Sequence, residues 1–102
     1  MDEQRRVAAF LAEHDLSTSP TYRVLDLVSE VGELAKEVET STEYGADPEA
    51  VAVAEDELGD ALFALLALAE ESGHDAGAAL ETSLAKYERR VAESGDAGSG
   101  DA

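Results

Sequence analysis

The sequence contains no cysteine, which excludes a disulfide framework and any thiolate metal site. Basic residues are scarce: 7 Lys and Arg stand against 24 Asp and Glu in 102 residues, a formal net charge of −17. Such a chain is not built for polymeric nucleic acid, because gripping a polyanion relies on Lys and Arg displacing counterions from its phosphates. Long apolar runs are also missing. The longest, Ala61 to Ala69, is too short to span a membrane, and no basic stretch followed by an apolar one stands at the N-terminus, so a cytoplasmic protein is expected.

What is present is enough apolar surface for a core, 44% of residues, despite the charge. Alanine is the commonest residue and lysine occurs only at Lys36 and Lys86, a surface suited to a halophilic setting where salt screens self-repulsion. At this length one domain is the default. A small domain buries a modest fraction of its surface, so a partner subunit is expected to supply more.

The punctuation is that of helices. Asp2 precedes a segment in which Val7, Phe10 and Leu11 share a face; Ser19–Pro20 and Asp47–Pro48 each have the form of an N-cap followed by a first helical residue. Gly45 and Gly73 suit left-handed C-terminal positions, and Asp75 suits an N-cap. These signals predict an all-α chain with helices near 3–14, 20–43, 48–72 and 75–93. One helical domain over 1–93 is expected, followed by a disordered acidic tail over 94–102, where the residues are small and polar.

Helix faces single out particular acids. On the second helix Val24, Leu27, Val28, Val31, Leu34, Ala35 and Val38 form the expected core stripe, while Asp26, Glu30, Glu33 and Glu37 share another face with no basic residue on it. That acidic face reads equally as a solvated surface or a cation site. On the third helix the expected core stripe is Val51, Ala54, Leu58, Leu62, Leu65 and Ala69, with Phe63 off it and facing a partner or solvent. Glu57 and Asp60 fall one turn apart on a face with Val53, Ala64 and Ala67. Carboxylates among small apolar neighbours suffer desolvation and mutual repulsion, which a cation or a proton between them relieves. The fourth helix is expected to bury Leu80, Leu84, Tyr87 and Val91 and to present Lys86, Arg89 and Arg90, a cluster that reads equally as pairing with neighbouring acids or as holding an anion; Lys86 and Arg90 project together, which suits two oxygens of a phosphate chain. Phe10 and Tyr22 read as core in preference to residues that stack on a ligand, and His14 and His74 as surface residues at helix ends.

The segments LVSEVGELAKEV, EDELGDALFALLALAEESGHD and SLAKYERRV resemble the MazG-like nucleoside triphosphate pyrophosphohydrolases over about Tyr22 to Val91. In a chain this acidic, an ExxE and ExxD spacing alone says little. Its setting carries the likeness: the acids stand beside glycine in EVGEL and ELGDALF, with KYERR on the next helix. The resemblance implies metal ligation by Glu30, Glu33, Glu57 and Asp60, Mg²⁺ as cofactor with Mn²⁺ as an alternative, and Lys86 and Arg90, with Arg89 as a weaker candidate, on the substrate phosphates. It further implies cleavage of an NTP or dNTP to NMP and pyrophosphate, including clearance of non-standard nucleotides, with the general base left open among Glu30, Glu33 and Glu57. Two departures are Ser29 where many members have a second Glu and Val53 where some have Lys. The expected assembly is a homodimer or homotetramer, a four-helix MazG-like chain packing into an oligomeric helical bundle. The rival reading is a catalytically inactive helical assembly or regulatory module that retains the fold.

Overall fold

A computed structural model describes residues 1–95, which form four helices: α1 (Asp2–Glu13), α2 (Pro20–Ser41), α3 (Glu55–Glu71) and α4 (Ala76–Ser94). A single 3-10 turn, Pro48–Ala50, interrupts the α2–α3 connection, and no strand occurs among the described residues. Ser94 closes α4 and Gly95 caps it in the left-handed conformation (φ 75°), so the first residue of the expected tail is helical; the part of that tail beyond Gly95 lies outside the described residues.

Most of the punctuation works as local chemistry dictates. Ser19 and Pro20 open α2, and the Asp75 carboxylate caps α4 by accepting the Ala78 N–H at 3.1 Å. Gly45 (φ 91°) and Gly73 (φ 75°) take the left-handed conformation expected of them. The exception is Asp47–Pro48, which starts only the 3-10 turn. From Val51 to Ala54 the backbone is extended, and the Glu37 carboxylate on α2 accepts the Ala54 N–H, holding this segment beside α2. Helix α3 then begins at Glu55, where Glu55, Asp56 and Glu57 place negative charge against the helix N-terminus. Val51, Val53 and Ala54 are therefore not on α3, contrary to expectation.

Helices α2 and α3 pair antiparallel, with Arg23 beside Glu71 at one end and Glu37 beside Ala54 at the other. The face that α2 turns to α3 is the series Arg23, Leu27, Glu30, Leu34, Glu37 and Ser41, each buried or half-buried. The expected valine stripe is corrected accordingly: Val24, Val28, Val31 and Val38 are exposed, because charged residues interleave with leucines on the inward face and leave the valines outward. On α3 the buried residues are Ala64, Leu66 and Ala67, the two alanines small enough to let the helices approach, whereas the expected Leu58, Leu62 and Leu65 are exposed. Leu11 from α1 completes the buried apolar set.

Two polar knots fasten the ends. Arg23, 6% exposed, donates to the Leu16 carbonyl at 2.5 Å and lies 3.7 Å from both Glu71 and Asp26, while Glu71 accepts the Thr18 N–H at 3.3 Å. Gln4, 7% exposed, donates to the His74 carbonyl (2.7 Å) and to Glu70 (3.2 Å) and accepts the Ala76 N–H (2.6 Å), tying α1 to the α3–α4 corner. Beyond that corner α4 has no buried residue, and Leu80, Leu84, Tyr87 and Val91, expected in the core, are exposed. Phe63 is half-buried and meets Phe10 of α1 edge-on at 6.0 Å between ring centroids. Phe10 and Tyr22 are exposed, not core, and His14 and His74 are at the surface.

Candidate metal centre

The interleaved face of α2 delivers Glu30 to the middle of the helix pair, and the early turns of α3 deliver Glu57 and Asp60. Their carboxylate oxygens lie within 4.8 Å of one another, with Glu30 and Glu57 half-buried and Asp60 exposed. The spacing explains the convergence: Glu30 shares a heptad position with Arg23 and Glu37, and Glu57 and Asp60 are three apart on α3. Ala64 and Ala67, one and two turns on, keep that face small and allow α2 to come close. Glu33 is exposed and stands outside this trio, yet its charge acts on Glu57.

Glu57 records the crowding. Partial desolvation holds its carboxyl above the ordinary carboxylate range, and the negative charges of Asp56, Glu33, Asp60 and Glu37 push it further in the same direction. Glu37 and Asp56 also fix the geometry, the first through the Ala54 N–H and the second by accepting the Glu57 N–H at 3.0 Å. Three convergent carboxylates with no sulfur and no imidazole among them are a hard-oxygen donor set, and their uncompensated charge fits a divalent cation such as magnesium or manganese.

Lys86, Arg89 and Arg90 lie elsewhere, on α4. Lys86 and Arg90 are half-buried and both lie over one aromatic ring: Lys86 Nζ is 4.7 Å, and the Arg90 guanidinium 5.7 Å, from the centroid of Tyr87. Arg89 is exposed. The structure thus brings three of the four expected acids together, keeps the fourth nearby, and holds the basic cluster on a helix that packs little against its own chain.

Residues 18–93 match the family model of the MazG nucleotide pyrophosphohydrolase domain. The chain belongs to the MazG family. No curated protein matches it, and no solved structure does. The MazG span takes in α2, α3 and α4, hence both the acid trio and the basic cluster, while α1 precedes it. No helix among the described residues is long and apolar enough to cross a membrane.

Residues that the sequence reading passed over are Gln4, Arg23, Glu37 as a backbone anchor and Asp56 as a neighbour of Glu57. For Arg23 and Glu37 a signal existed, since they share the heptad position of Glu30 between Leu27 and Leu34. Gln4 offers none, because its partners are backbone groups of a turn some 70 residues away.

Proposed function

We propose that this chain is a divalent-metal-dependent pyrophosphohydrolase of nucleoside triphosphates, cleaving an NTP or dNTP between the α and β phosphates. The observation that carries the reading is the meeting of Glu30 with Glu57 and Asp60 in a chain of this family. In the proposed reaction water adds to the α phosphorus, the α–β anhydride bond breaks, and NMP and pyrophosphate leave. Glu30, Glu57 and Asp60, with Glu33 beside them, hold the cation, for which magnesium fits and manganese can substitute. A cation held by these carboxylates would supply charge neutralisation at the phosphate oxygens and a lowered pKa for water. One of Glu30, Glu33 and Glu57 takes the proton that the attacking water loses. Lys86 and Arg90, with Arg89 flanking, grip the phosphate chain that a protein of charge −17 would otherwise repel.

The reading extends to assembly and setting. The exposed stripes on α2, α3 and α4 make an apolar surface too extensive for a chain of this size to leave in water, which supports a homodimer or a tetramer built from it. The charge supports a salt-rich, cytoplasmic setting. Nucleotide class, including non-standard bases, is tested by a panel of NTPs and dNTPs assayed for pyrophosphate with and without Mg²⁺ in molar KCl. Pyrophosphate release that requires the metal supports the reading; no release from any nucleotide leaves the inactive assembly in its place.

A further inference from the structure

Between α1 and α3 runs a groove of about 460 Å³, lined by Glu3, Arg6 and Phe10 of α1 and by Gly59, Leu62 and Phe63 of α3. That volume falls within the range of small-ligand pockets. The groove begins beside the acid trio: Gly59 is the residue before Asp60, and Phe63 follows Asp60 by one turn, about 4.5 Å along α3. No atom lies within 4 Å of where a Cβ at Gly59 would stand, so packing does not demand glycine there, and its bareness leaves room next to the carboxylates. A nucleotide with its phosphates at the trio has its base within reach of this groove.

Two features of the lining point to a planar, polar-edged occupant. Phe10 is 45% exposed and meets Phe63 edge-on, which leaves ring surface for a heterocycle to stack on. Glu3 and Arg6 are exposed and stand three residues apart on α1, the same spacing as Asp2 and Arg5. Asp2 and Arg5 pair; Glu3 and Arg6 enter no ion pair among the described residues. A carboxylate that only accepts and a guanidinium that only donates therefore lie side by side along an aromatic groove.

We infer that the groove seats the substrate's base and is built for guanine. Among the common bases guanine alone sets two adjacent N–H donors, at N1 and N2, next to two adjacent acceptors, O6 and N7. Adenine and cytosine offer a carboxylate one amino group, and uracil and thymine one ring N–H. In the proposed seat Phe10 stacks on the base, Glu3 accepts from N1 and N2, and Arg6 donates to O6 and N7. The inference rests on the functional reading above and adds the base. Helix α1 precedes residues 18–93, the span that matches the family, so the selectivity belongs to this chain's own first helix.

Calorimetry with nucleoside monophosphates, in molar NaCl with a chelator, reads the seat without turnover. The wild type should bind GMP about tenfold more tightly than IMP, whose base lacks only the 2-amino group. Glu3→Gln should erase that difference, because it replaces a pair of acceptors by one acceptor and one donor. Arg6→Met should weaken GMP and IMP alike and keep the difference, because both bases carry O6 and N7. Both side chains are exposed, so neither substitution removes a buried contact. Equal binding of GMP and IMP by the wild type, a difference that survives Glu3→Gln, or no GMP binding at millimolar nucleotide overturns the inference. Pyrophosphate release from GTP with Mg²⁺ is measured on the same preparations: release without the GMP–IMP difference sinks the base assignment alone, and the difference without release sinks the functional reading alone.

Discussion

Glu30 on α2 and Glu57 on α3 bring carboxylate oxygens within 4.8 Å of each other, both half-buried and with no basic residue on the acidic face of α2 between them. Like charges so placed are an arrangement that folding alone would avoid. Partial desolvation first, and then the charges of Asp56, Glu33, Asp60 and Glu37, raise the Glu57 carboxyl, so the folded chain binds that proton more tightly than the unfolded chain does. Stability from this group is fully present at acidic pH and is lost as pH rises from the ordinary glutamate range through the raised value of the folded state.

Glu57→Gln should therefore do two opposite things. It abolishes turnover by removing a ligand, and it raises the thermal midpoint of the metal-free protein at neutral pH. Magnesium should raise the wild-type midpoint and leave that of Glu57→Gln almost unchanged. Melts at pH 5 and pH 7.5, with Mg²⁺ and with a chelator, read both effects. A variant that melts below wild type without metal would contradict the crowding argument.

Arg23 is the cation that makes the other end of the α2–α3 pair work. Replacing it by Met leaves Glu71 mostly buried without its cation and the Leu16 carbonyl without its donor, a loss of about 3 kcal/mol. Because the group is buried, the loss should change little between dilute and molar KCl. Urea titrations in both conditions check this.

Gln4 fastens the corner from which α4 departs. Gln4→Ala strands the Ala76 N–H and the His74 carbonyl and should cost about 2 kcal/mol. Hydrogen exchange should quicken first at the start of α4 and in the 73–76 turn, leaving the α2–α3 contact protected. Uniform acceleration along the whole chain would show that the corner is not a local fastening.

The helices themselves were legible because their signals are local. Ser19–Pro20, Asp75 and the glycines act within one turn of where they stand, and the sequence reading placed three of four helices to within two residues at each end. The start of α3 was not legible, since Asp47–Pro48 carries the same signal as Ser19–Pro20 and is overruled from a distance by Glu37 reaching the Ala54 N–H. The cores of α2 and α3 were misplaced for a different reason. An apolar stripe is normally read as facing the chain's own core, but here Val24, Val28 and Val31 face outward, and the inward face alternates charge with leucine. The acids of the candidate site lie on that alternating face. The pairing of Glu57 with Asp60 was visible in their spacing and small neighbours, and the family resemblance named Glu30 and Glu33 with them; that Glu30 meets the pair while Glu33 stands outside the trio needed the crossing of the two helices.

Salt dependence follows from the charge. With 24 acids against 7 bases, repulsion is unscreened in dilute buffer, so the thermal midpoint should climb steadily from dilute to molar KCl. Light scattering over the same series should show the assembled state gaining at high salt, where screening lets the apolar stripes meet. A midpoint that does not rise contradicts the halophilic reading.

The central claim is that Glu30, Glu57 and Asp60 serve metal-dependent cleavage of a nucleoside triphosphate. It is tested most directly by identifying the products of wild-type and Asp60→Asn protein on a nucleotide panel in molar KCl, with Mg²⁺ and with a chelator. The account predicts NMP and pyrophosphate in equal amounts from the wild type with Mg²⁺, and neither from the chelated enzyme or from Asp60→Asn of unchanged helicity. Orthophosphate as the sole phosphorus product, or Asp60→Asn turning over as fast as the wild type, would contradict it.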